Sequence, residues 1–235
     1  MKPYKLIAIQ ECNEPLLPIP PEKFSFVLPH PYEKLGAPYG EKSPFYLREG
    51  VLTCLLTAQE SLHEKQPGWR IQIFDAYRPI AVQQFMVEYT FREVAEAQGL
   101  SLANLTAAQR QTILEQVYEF WAVPSPDPTT PPPHSTGSAI DLTLVDETGQ
   151  PVPMGSPIDE MSPRSFPNYF AGSEGPDEQQ FHRNRQLLRE VMVTTGFEQH
   201  PQEWWHFCLG DQMWAWLVNQ KNPGMAAIAR YGAVA

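Results

Sequence analysis

The chain has 235 residues, 42% of them hydrophobic, with a formal net charge of −10 and a pI near 5.1. That length predicts one domain, or a small pair, with a real core. Acidity without any Lys/Arg run speaks against nucleic acid or an anionic membrane surface as a partner. No stretch approaches the roughly 20 apolar residues of a membrane span. The N-terminal apolar run is too short for a signal peptide, so the expected location is the cytoplasm.

The first 46 residues form a Pro-rich arm. Pro15, Pro18, Pro20, Pro21, Pro29, Pro31, Pro38 and Pro44 fix φ and remove donors, so regular structure is scarce. Phe24, Phe26, Tyr32, Tyr39, Phe45 and Tyr46 make it a packed segment, with a short strand at 24–28. Val51, Leu52, Leu55, Leu56, Ala58 and Leu62 recur at helical spacing over 47–66, and Pro67-Gly68 stops that helix. Trp69, Ile71 and Ile73 alternate with polar residues as a half-buried strand. Pro79 suits the first turn of a helix over 80–97, which Gly99 closes. Thr106 caps another over 107–121.

The Pro-rich stretch 122–133 reads as an extended, ordered approach to His134. A β-prone run follows over 139–145, then a Gly/Ser/Pro-rich loop over 155–176. A helix is expected over 181–195, and a strand interrupted near Pro201 over 197–209. A final helix is capped by Asp211, and a loose tail covers 222–235. Cys12, Cys54 and Cys208 are odd in number and widely spaced, which argues against a disulfide framework. Cys208 reads as a small buried hydrophobe, although it lies two residues after His206.

Two short segments hold the residue types of a metal-dependent hydrolase. His134-Ser-Thr-Gly-Ser-Ala-Ile-Asp141 and Glu203-Trp-Trp-His206 offer two imidazoles and two carboxylates. Three N/O ligands leave a position open on Zn²⁺ for catalysis, and a carboxylate outside the ligand set can act as base. An odd separation in a regular strand points side chains to opposite faces. His134 is therefore expected in the turn before a strand, with Gly137 supplying the turn and Asp141 on the strand. By the same logic Glu203 belongs at a bend and His206 on the strand proper. Asp141 in an apolar strand would be costly to bury unless paired or metal-bound. His30, His63, His182 and His200 read as ordinary surface or satisfied core histidines. Arg78 has two readings, a structural ion pair with Asp75 or a charge projected into a cleft to stabilise an oxyanion.

Taken together, these segments resemble the VanX-type D-alanyl-D-alanine dipeptidases. These belong to the wider group of zinc D,D-peptidases that share a fold with Hedgehog signalling domains. The likeness covers roughly residues 45–210 and rests on five stretches. They are Asp75-Ala-Tyr-Arg-Pro79, His134 to Leu144, Met154-Gly-Ser-Pro-Ile-Asp159, Asn184-Arg185 with Gly196-Phe197, and Glu203-Trp-Trp-His-Phe207. The resemblance implies a single α+β domain, a mainly antiparallel sheet flanked by helices. It implies one Zn²⁺ per chain, held by His134, Asp141 and His206. Glu203 would be the general base, Arg78 the oxyanion partner, Asp159 a contact for the substrate ammonium, and Asp75 a residue orienting Arg78. The implied substrate is a small D,D-dipeptide. A D,D-carboxypeptidase or peptidoglycan endopeptidase on the same scaffold is the first alternative, and a zinc-binding module without turnover is the second. The family often has a serine two residues before the first histidine ligand; this chain has Pro132 there.

Overall fold

The computed structural model describes residues 2–234. The alternation after Trp69 becomes strand β4 (Arg70–Asp75), following β1 (Leu16–Pro18), β2 (Ser25–Phe26) and β3 (Tyr46–Arg48). Three more strands follow: β5 (Ala139–Val145), β6 (Glu198–Gln199) and β7 (His206–Cys208). The main sheet runs β2-β4-β5-β7-β6, parallel only between β2 and β4. The helices are α1 (Pro31–Lys34), α2 (Glu49–Lys65), α3 (Ile80–Ala97), α4 (Ala107–Phe120), α5 (Pro176–Val193) and α6 (Gln212–Lys221). The protein is thus a mixed α+β fold with a mainly antiparallel sheet.

Strand parity sorts the two faces of the sheet. Ile71 and Ile73 from β4, with Ile140, Leu142 and Leu144 from β5, pack against Val51, Leu55 and Leu62 of α2. Leu188, Val191 and Met192 of α5 complete this main core. The other face carries Asp141. It is covered at one side by α3 and α4, whose Val82, Met86, Phe91, Ile113 and Val117 form a second cluster with Tyr32 and Trp121. On the other side Tyr4, Cys208, Met213 and Leu217 close over Ala139. Cys208 is buried there as a hydrophobe.

Several boundaries differ from those expected from sequence. Residues 46–48 are a strand paired with β1, so α2 begins at Glu49. Helix α5 begins at Pro176, ahead of the start expected from apolar periodicity, which its first turn (Pro176, Asp177, Glu178) does not carry. Residues 197–209 form two short strands around a turn rather than one interrupted strand. The tail expected to be loose is pinned. Ala229 and Tyr231 are buried, and the Arg230 and Tyr231 amides donate to the Gly210 carbonyl. The Tyr231 hydroxyl donates to Glu14 at 2.7 Å, and the Val234 amide to the Ser135 carbonyl at 3.0 Å. The tail thus closes a seam with the N-terminal arm, a pairing between chain ends that no local pattern announces.

Candidate metal centre and catalytic cleft

Register alone brings three site residues into line. Asp75 faces Asp141 across β4 and β5, and Asp141 faces His206 across β5 and β7. Directly opposed residues of an antiparallel pair share a face. Asp75 would by parity follow Ile71 and Ile73 into the core. A register shift between Ile73 and Asp75 turns it to the face of Asp141 instead, the re-aiming a bulge provides.

His134 comes from a 3-10 turn (Pro133–Thr136) that ends at Gly137. Gly137 has φ of 72°, and a Cβ there would lie 2.3 Å from Leu16 Cδ2. The left-handed backbone is what demands glycine, since the Leu16 side-chain tip could shift aside. Gly137→Ala should lower stability by about 2 kcal/mol, measurable as a lower denaturation midpoint in urea. An unchanged midpoint would mean that the turn is not constrained as described. Glu203 sits in the turn before β7, and the His206 amide donates back to its carbonyl at 3.4 Å.

His134, Asp141 and His206 are all buried, and their ligand atoms lie within 4.8 Å of one another. His134 Nδ1 donates to the Ala76 carbonyl at 2.7 Å, which fixes the tautomer and turns the Nε2 lone pair toward the cluster. His134 Nε2 lies 3.2 Å from His206 Nδ1 and 3.2 Å from Asp141 Oδ2. His206 Nδ1 lies 3.0 Å from Asp141 Oδ1. Donors about 2.0–2.1 Å from a tetrahedral zinc stand about 3.3 Å apart. The donor set and its spacing therefore fit such an ion. Burial alone would raise the Asp141 carboxyl, but His134 and His206 beside it hold it well below the usual range. Burial lowers His206 below the usual imidazole value.

Glu203 stands beside this triad and outside it. Its carboxylate is 3.7 Å from His206 Nδ1 and 3.7 Å from His200 Nδ1. Burial, then the charge of Asp141, push it well above the ordinary carboxylate range. Arg78 makes the ion pair with Asp75 and also lines the cleft. Its Nε donates to Asp75 Oδ2 at 2.9 Å, and its Nη2 lies 3.3 Å from Asp141 Oδ2. Nη1 donates to Gln83 at 2.9 Å, and the guanidinium lies 5.0 Å from the ring centroids of Tyr32 and Trp121. Asp75 in turn accepts from the Tyr39 hydroxyl at 2.9 Å. His30 Nε2 is 3.2 Å from Asp75 Oδ1, but too poorly aligned for a hydrogen bond.

The cleft over this group is lined by Arg78, His134, Asp141, Asp159, Glu203 and His206, together with Lys2, Tyr4, Gln83, Trp121, His200 and Trp205. Asp159 accepts from the Tyr32 hydroxyl at 2.8 Å, and burial followed by Asp141 pushes its carboxyl up to about 7. Its loop is stitched down by buried Arg185, which donates to the Met154 and Phe166 carbonyls and to Ser156 Oγ. That network gives the Asn184-Arg185 pair a structural purpose at the site.

Sequence reasoning did not place His200, Tyr32, Gln83 or Lys2 at the cleft. His200 had one available signal, its position three residues before Glu203 in a Pro-containing turn. The other residues arrive from distant elements with no local signature.

A buried His/Asp/His cluster on a sheet face, with a buried glutamate and arginine at its rim, belongs to a metallopeptidase. The family model for Peptidase M15, D-ala-D-ala dipeptidase, matches residues 27–227, and the chain belongs to that family. It is 51% identical to a D-alanyl-D-alanine dipeptidase of Synechocystis sp., over 100% of this chain and 97% of that protein. A D-alanyl-D-alanine dipeptidase of Escherichia coli is 39% identical over 48% of this chain and 58% of its own length. A solved structure of the LdcB LD-carboxypeptidase covers 97% of this chain and 86% of its own, with a TM-score of 0.45 and 15% identity.

Proposed function

We propose that the chain hydrolyses D-alanyl-D-alanine, or a closely related D,D-dipeptide, to free D-amino acids, with one Zn²⁺ held by His134, Asp141 and His206. When bound there, zinc supplies Lewis-acid polarisation and lowers the pKa of water toward ~7. Glu203 takes the proton from the attacking water and returns it to the leaving amine as the peptide C–N bond breaks. Arg78 lies at the rim where the scissile carbonyl would develop negative charge, held by Asp75 and Gln83, and stabilises the oxyanion. Asp159 faces the free ammonium end of the dipeptide.

The observation that carries this reading is the placement of Glu203. It is buried and within 4 Å of a candidate ligand, yet it is not part of the triad. A purely structural metal site has no use for such a group, which disfavours a module without turnover. Among the described residues no helix is long and apolar enough to cross a membrane. A free dipeptide in the cytoplasm is the setting proposed.

The choice between a dipeptidase and a carboxypeptidase turns on chain length. A cleft that pairs both charged ends of a dipeptide leaves those partners unsatisfied by a capped peptide. The zinc-loaded protein should therefore hydrolyse D-Ala-D-Ala at least about a hundredfold faster, in kcat/KM, than an N-capped peptide ending in D-Ala-D-Ala. A preference for the capped peptide would transfer the assignment to a D,D-carboxypeptidase.

A further inference from the structure

A zwitterionic dipeptide also needs a partner for its carboxylate, and the residues nearest the metal cluster do not offer a free one. Pro132 has neither side-chain donor nor amide hydrogen. The Ser135 hydroxyl is spent on the Arg78 carbonyl at 2.7 Å, and the Thr136 hydroxyl on the Pro133 carbonyl at 2.5 Å. Arg78 is held by Asp75, Gln83, Tyr32 and Asp141, and its remaining donor capacity goes to the scissile carbonyl in the proposed reaction. Asp141, Asp159 and Glu203 on the cleft wall are acidic and offer a carboxylate no cationic partner.

One further cation lines the same cleft. Lys2 enters from the N-terminal arm, just ahead of a 3-10 turn (Pro3–Leu6). Its ammonium makes no hydrogen bond or ion pair with any described residue. The turn that presents it is fixed in place. Gln212 Nε2 donates to the Ile7 carbonyl at 2.7 Å, and Tyr4 packs against Ala139, Cys208, Met213 and Leu217. The Tyr4 hydroxyl is buried without a partner, and Tyr4 lines the cleft beside Lys2. These residues precede the span 27–227 that the family model matches.

We infer that Lys2 is the carboxylate anchor of the cleft, a specificity residue supplied by the N-terminal arm to a wall that also carries the acidic Asp159. The inference rests on the dipeptide reading above. Lys2 and Asp159 thus give the cleft wall both signs of charge that the two ends of a free dipeptide need. An anchor separate from the triad also keeps the substrate carboxylate from competing for the metal position. Burial lowers the Lys2 ammonium from its usual value, with Glu203 opposing that shift, as expected for an amine turned into the cleft.

The test compares D-Ala-D-Ala with its C-terminal amide, which lacks only the negative charge. Binding is measured by calorimetry on zinc-loaded protein in a Glu203→Gln background, where turnover is suppressed. The Lys2 side chain should favour the acid over the amide by about tenfold or more. Lys2→Met should abolish that ratio by weakening the acid alone, and Lys2→Arg should preserve most of it. Equal zinc content and circular dichroism would show that the fold is retained. An acid-to-amide ratio that is the same with and without Lys2 would overturn the inference, as would a protein with Lys2 intact that binds both ligands equally. Failure of the unmodified enzyme to hydrolyse D-Ala-D-Ala would instead strike the proposed activity, and the binding ratio would still decide the role of Lys2.

Discussion

Glu203→Gln should reduce kcat on D-Ala-D-Ala by about 10³-fold or more while the protein still binds zinc stoichiometrically. The substitution keeps the shape of the side chain and removes its ability to take and return a proton, a contribution typically of 10²–10⁴. Glu203 lies outside the His134, Asp141 and His206 cluster, at 3.7 Å from His206 Nδ1, so metal retention is the sharper half of the expectation. Burial and the neighbouring Asp141 already push its carboxyl well above the usual carboxylate range, the kind of perturbation that clusters at functional sites. Metal content by atomic absorption, with kcat from D-alanine release, separates the outcomes. Loss of zinc together with activity would make Glu203 a ligand. Retention of both would remove it from the chemistry.

Arg78→Ala should have two consequences of different origin. The first is a fall in kcat of about 10²–10³-fold, the usual effect of deleting an oxyanion donor. The second is a loss of stability of about 3 kcal/mol or more, because Asp75 is fully buried and loses its strongest partner. Arg78→Lys separates the two. A lysine keeps one charge near Asp75 but cannot reproduce a fork that meets Asp75, Gln83, Tyr32 and Asp141 together. Stability should therefore recover in part while kcat stays low. If Arg78→Lys restored stability and full kcat alike, the fork geometry would be irrelevant to turnover. If both variants kept full kcat, Arg78 would be a structural ion-pair partner only.

Much of the scaffold was legible because it obeys local rules. The alternation of Ile71 and Ile73, the helical recurrence from Val51 to Leu62, and the Thr106 cap each need only neighbours a few residues away. The turn at Gly137 and the bend at Glu203 followed from strand parity applied to His134, Asp141 and His206. Roles for those residues came from the likeness to a family, since spacing alone left each of them a possible ordinary polar residue.

What escaped the sequence depends on contacts between distant segments. The shift that turns Asp75 toward Asp141 is a property of the β4–β5 pairing, and no residue in β4 announces it. The pinned tail depends on Gly210 and Glu14, far from Tyr231 in the chain. Lys2 lines the cleft and Tyr32 contacts Asp159 and Arg78 because both come from the Pro-rich arm, and their own neighbours in sequence carry no catalytic pattern. The polar first turn of α5 hid its start for the opposite reason, since solvent-facing residues leave no hydrophobic period to read.

The most direct test strips the protein of metal with a chelator and titrates zinc back while D-alanine release from D-Ala-D-Ala is recorded at neutral pH. Activity should be absent in the stripped protein, rise linearly with zinc, and level off at about one ion per chain. His206→Ala should bind zinc far more weakly and release no D-alanine at that stoichiometry. No release from the unmodified protein with zinc confirmed bound, or full release from the stripped protein, would contradict a zinc-dependent D,D-dipeptidase.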